Sequence, residues 1–122
     1  MANTQAMCTS FLGELMTATH NFGTAPTRGT SAADTFKAAL YLASATINAS
    51  TTAYTATGEV SGTGYSAGGV TVTNGTPPSS TNTSATAGTG YWTPSASITY
   101  TSVTLTTAFD TVLIYNSTQS NK

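Results

Sequence analysis

From Phe36 onward, apolar side chains recur at every second position in short runs, and the runs are separated by glycine, asparagine, serine or proline. A period of two belongs to a strand that turns one face inward, so most of this chain is committed to β structure. Phe36, Ala38, Leu40 and Leu42 share one face of the first run, with Lys37, Ala39 and Tyr41 on the other. Tyr54 to Tyr65, YTATGEVSGTGY, mixes strand formers with Gly58, Gly62 and Gly64 and reads as an extended segment broken by turns or bulges. Gly68-Gly69 leads into a short strand from Val70 to Thr73, closed by the hairpin-type pair Asn74-Gly75. The pattern resumes with Tyr91 and Trp92, then Ile98 and Tyr100, then Val103 and Leu105. Parity slips after Tyr100, which puts a bulge or turn at Thr101-Ser102.

Val112, Leu113, Ile114 and Tyr115 form the most apolar run. Such a run predicts a strand buried on both faces at the centre of the fold. Its partners on the two edges have to come from earlier segments, from another subunit or from residues beyond this sequence. Asp110 marks the turn before it, and Asp34 caps a turn before the Phe36 strand.

One segment departs from the β period. Over residues 3–21, Met7, Cys8, Phe11, Leu12, Leu15, Met16 and Ala18 fall on one half of a helical wheel, continued by Phe22, with polar residues including His20 on the other. This predicts an N-terminal amphipathic helix, capped by Asn3 or Thr4 and ended by Gly23 with Pro26 beyond. Its apolar face, Met7, Phe11, Leu12, Leu15 and Phe22, either covers the domain's own sheet or docks on a neighbour. Residues 76–90, TPPSSTNTSATAGTG, contain no apolar side chain larger than alanine and read as a flexible exposed loop. The expected whole is a single β-rich domain over residues 1–122. Its architecture is a β sandwich or small open barrel with one N-terminal amphipathic helix.

Composition narrows the function. Only 6% of the 122 residues are charged and the formal net charge is −1, against about a quarter charged in ordinary domains. Arg28, Lys37 and Lys122 are too few to displace counterions from nucleic acid or to hold an anionic membrane. Solubility rests on Ser and Thr, and a surface with so little charge favours close association. Cys8 has no second cysteine to pair with, so no disulfide staples the fold. The opening MANTQAMCTS lacks the form of a signal peptide, which predicts synthesis and retention in the cytoplasm.

Residues that could carry chemistry are scattered. His20 sits on the polar side of the predicted helix, where solvent exposure is expected, and lies about 120° round the wheel from Cys8, so the two form no dyad. Cys8 reads as a small buried apolar residue. Glu14, Asp34, Glu59 and Asp110 are far apart in sequence, with no pair singled out for acid–base work. No metal-ligand spacing is present, and the Gly62-x-Gly64 pattern lacks the spacing and the lysine of a phosphate loop. The reading is therefore of a protein without catalytic residues, cofactor or metal. Tyr65, Tyr91 and Trp92 lie beside glycines and polar loops, where aromatic rings stack on sugars or anchor a protein partner, or else finish the core.

Four stretches together, MANTQAMCTSFLGEL, DTFKAALY, TTAYTATGEVSGTGYSAGGVTVTN and VLIYNSTQ, resemble a family of small tailed-phage virion structural proteins, variously labelled tail-fibre-like or structural protein. The resemblance spans most of the chain outside residues 76–90. It implies membership of the virion, repeated copies in a symmetric array against capsid or tail subunits, and no cofactor. It also implies a further β-type segment past the position of Lys122. The expected function is a non-catalytic component, either a capsid cement or decoration protein or a tail or fibre part. The alternative is a host-surface or glycan-binding adhesin module on a fibre, with Tyr65, Tyr91 and Trp92 as its contacts.

Overall fold

The structure is a computed structural model that describes residues 7–8, 11, 15, 19–20, 22, 33–74, 79–81 and 90–121. The fold is mainly β. Its strands are β1 (Phe36–Tyr41), β2 (Gly62–Thr63), β3 (Val70–Val72), β4 (Ser79–Ser80), β5 (Gly90–Tyr91), β6 (Thr104–Leu105) and β7 (Thr111–Asn116). They form a three-stranded antiparallel sheet in the order β3-β1-β7 and two antiparallel ribbons, β2-β6 and β4-β5. The predicted helix over 3–21 falls almost wholly outside the described residues, as does most of 76–90, whose two ends meet in the β4-β5 ribbon.

The central strand is β1. Every residue in it except Lys37 is buried, and its alternation sends side chains into two cores. Phe36 and Ala38 join Val72 on one face, with Phe22, Trp92 and Ile98 packed over them. Ala39 and Tyr41 join Ile47, Leu113 and Tyr115 on the other. The adjacent alanines let neighbouring chain approach closely. Gly69, at φ +70°, lies against Ala38, and a β-carbon there would run into the Ala38 carbonyl oxygen.

The expectation that Val112–Tyr115 is the central strand is overturned. Among the described residues β7 pairs with β1 alone, at the sheet edge, and is buried on one face. Leu113 and Tyr115 point into the core, whereas Val112 and Ile114 are 43% and 46% exposed. An unbroken apolar run does not distinguish a doubly buried strand from an edge strand with an apolar outer face. The centre went instead to the segment whose small residues allow close approach on both sides. The Asn74-Gly75 hairpin is also corrected at Asn74: β3 pairs with β1 and not with the next strand, and Asn74 turns inward to bond Asp34 and Trp92. The slip at Thr101-Ser102 is a turn, with Ser102 at φ 54°.

Candidate functional site

Two polar clusters and one groove gather most of the chemistry in the described residues. The first cluster is built on Glu59, which follows the Gly58 turn and bridges back to Tyr41 beside β1. Its Oε1 accepts hydrogen bonds from the Tyr65 hydroxyl at 2.7 Å and the Gly68 amide at 2.8 Å, and its Oε2 accepts one from the Tyr54 hydroxyl at 2.7 Å. Tyr65 uses the same oxygen to accept from the Leu40 amide. Tyr115 donates to the Gly68 carbonyl, Tyr41 to the Thr55 carbonyl and Tyr100 to the Ala38 carbonyl. Burial, reinforced by the negative charge of Glu59, raises the pKa of all five tyrosines. Tyr41 is pushed up to about 12 even though its bond to Thr55 pulls the other way, and Tyr54, Tyr65, Tyr100 and Tyr115 move in the same direction.

The second cluster clasps the start of β1 to the end of β7. Asn116 is almost fully buried. Its Oδ1 accepts from the Thr118 and Gln119 amides, which fixes the orientation of the side-chain amide. Its Nδ2 then donates to Asp34 Oδ2 at 2.7 Å and to His20 Nδ1 at 2.9 Å. His20 Nδ1 is thus an acceptor, and its ring proton sits on Nε2. Gln119 donates to Asp34 Oδ1, and Asn74 links the Asp34 carbonyl to Trp92 Nε1.

The groove runs between the Gly64–Val70 segment and the Thr99–Val103 segment and has a volume of about 270 Å³. Tyr65 and Tyr100 line it, near-parallel at 16° with centroids 6.1 Å apart, together with Ser66, Thr99 and Thr101. No charged side chain among the described residues lines it.

The residues singled out from sequence are dispersed. Tyr65 belongs to the Glu59 cluster and the groove. Trp92 packs on Phe22 and Phe36, at 5.0 and 5.5 Å between ring centroids. Tyr91 is exposed. No ring contact among the described residues joins Tyr65 to Trp92. Of the helix face, Phe11 and Phe22 face each other edge to face and Phe22 stacks on Phe36, while Met7 and Leu15 are exposed and Leu12 lies outside the described residues.

The expected exposure of His20 is corrected. It is 8% exposed and packed beside Phe11, Phe22 and Phe36. The wheel ranks His20 as polar, but an imidazole hydrogen-bonded to Asn116 through Nδ1 packs its ring against aromatic neighbours. Glu59 and Asn116 were not singled out from sequence. Glu59 did leave a signal: a lone carboxylate in a stretch opened and closed by tyrosines.

Comparison of the chain with protein-family models, with curated proteins and with solved structures returns no match.

Proposed function

We propose that this chain is a non-catalytic structural component of a tailed-phage virion, made in the host cytoplasm and docked as repeated copies on capsid or tail proteins. The observation that carries the reading, beside the sequence resemblance, is how the side chains are used. The carboxylates of Glu59 and Asp34, the Asn116 amide and five tyrosine hydroxyls are spent on holding the chain's own segments together. Large apolar side chains, Phe109, Val112 and Ile114, stay at the surface. A domain that invests its polar groups inward and leaves apolar ones outside is suited to packing against neighbours. The finer architecture belongs to the same proposal: a sandwich-like fold in which the N-terminal helix covers the Phe36 face, supported by the stacking of Phe22 on Phe36.

Cryo-electron microscopy of the particle tests this. Density for the chain on the capsid lattice makes it a cement or decoration protein, and density on the tail or fibres makes it a tail component. Absence from purified particles sinks the proposal.

The groove favours one second reading, a glycan-binding module on a fibre. Paired tyrosines with surrounding hydroxyls and no charge match a neutral sugar. Titrating neutral oligosaccharides while following the resonances of Thr99, Tyr100 and Thr101 tests it; unmoved resonances at millimolar sugar reject it.

A further inference from the structure

Among the described residues nothing pairs with the outer edge of β7, and the chemistry of that edge specifies what fits there. The Ser117 amide donates to the Thr35 carbonyl across the β1-β7 pair. By the alternation of an antiparallel ladder, Thr111, Leu113 and Tyr115 then turn their amides and carbonyls toward β1, and Val112 and Ile114 turn theirs away. Among the described residues no hydrogen bond reaches the backbone of Val112 or Ile114. The same two side chains are close to half exposed.

Edge strands are normally guarded by a charge, a proline, a bulge or shortness. β7, TVLIYN, has none of these: it is six residues long, pairs with β1 in unbroken register and carries no charge. The opposite edge of the sheet is different. β3 has three residues and turns only Thr71 outward.

We infer that β7 pairs with β7 of a second copy, antiparallel about a two-fold axis at Ile114, to give a continuous six-stranded sheet. A two-fold interface must match itself, and this one does. Ile114 meets Ile114 and Val112 meets Asn116, and β7 holds no charged residue, so no like charges face each other along the paired strands. A net charge of −1 adds little repulsion between copies. The pairing satisfies the outward backbone groups and sets Ile114 against its own copy across the new strand pair, which removes part of its apolar surface from water. It does not depend on the virion reading.

Sedimentation equilibrium of the full chain at rising concentration tests this. The expected result is a species of twice the 12.3 kDa protomer mass. Ile114→Lys sets two ammonium groups face to face and raises the dissociation constant by about a hundredfold or more, because opposed like charges suppress association. Val112→Lys weakens the dimer as well and guards against a folding defect in the first variant. Thr71→Lys, on the other edge, leaves it intact. Circular dichroism and Tm of all three match the parent, since each site is on the surface. A chain that stays monomeric to millimolar concentration, a dimer indifferent to both β7 variants, or growth past the dimer each overturns the inference.

Discussion

Tyr65 donates its hydroxyl to Glu59 Oε1 at 2.7 Å while the same oxygen accepts the Leu40 amide at 3.0 Å. One phenol thereby ties the Glu59 turn to the central strand. Leu40 also accepts the Val60 amide at its carbonyl, so the turn is joined to β1 through backbone and side chain together. The two ends of the carboxylate hold different pieces of chain, Tyr54 on one oxygen and Tyr65 with Gly68 on the other.

Replacing that carboxylate removes the acceptor for three donors at once. Glu59→Ala is expected to destabilise the fold by about 3 kcal/mol, since hydrogen bonds to a charged group are each worth about 1.5–3 kcal/mol and partial exposure returns some of the loss to water. Glu59→Gln keeps one acceptor oxygen and costs about half as much. Urea unfolding of both variants checks the order. Equal stability of Glu59→Ala and the parent refutes the role of this carboxylate as a structural hub.

The raised tyrosine pKa values set the alkaline limit of the fold. Above about pH 10 the unfolded chain releases phenolic protons that the folded chain keeps. The folded state then binds more protons than the unfolded one, so stability falls as pH rises. The contribution is complete below pH 10 and is lost on the way through the folded value, which for Tyr41 is about 12. Tm is expected to be flat with respect to these groups up to about pH 10 and to drop steeply above it. Phenolate absorbance at 295 nm from these five tyrosines is expected to appear together with unfolding instead of before it.

Asn116 joins four partners from one buried side chain: Asp34, His20 and the amides of Thr118 and Gln119. Asn116→Ala removes the bond that each of them makes to this side chain and is expected to cost about 3 kcal/mol, in the range for breaking a buried polar network. Asn116→Asp keeps the shape but sets a second carboxylate against Asp34 Oδ2. It is expected to be less stable still at neutral pH and to recover toward pH 4, where one carboxyl takes a proton. Thermal melts across pH 4–8 separate the two variants. An Asn116→Asp melt independent of pH contradicts the placement of Asp34.

Local signals carried far into this fold and then stopped. The alternation at Phe36–Tyr41 gave the strand and its two faces, and the parity slip gave the turn at Thr101-Ser102, because both follow from backbone period. The sheet order did not follow, because the period of VLIY is the same whether a strand has one neighbour or two. His20 was misplaced because a wheel ranks residues by polarity and is blind to a partner ninety-six positions away at Asn116. The Glu59 cluster was hidden for the same reason: its donors lie within nine residues of it, but the fold alone turns all of them toward one carboxylate.

Tyr91, the last residue of β5, and Trp92 just after it separate surface function from packing. Trp92 has its ring against Phe22 and Phe36 and its Nε1 on Asn74; Tyr91 is 46% exposed. Trp92→Ala opens a cavity over the Phe36 core and removes the indole donor to Asn74 Oδ1, at an expected cost of about 3 kcal/mol. Trp92→Phe restores the ring contact but not the Asn74 bond, and is expected to recover most of that loss. Tyr91→Ala is expected to change stability by under about 0.5 kcal/mol, as surface substitutions do. Calorimetry orders the three. If Trp92→Ala melts with the parent while losing a binding activity, Trp92 is a contact residue and the packing described here does not hold it.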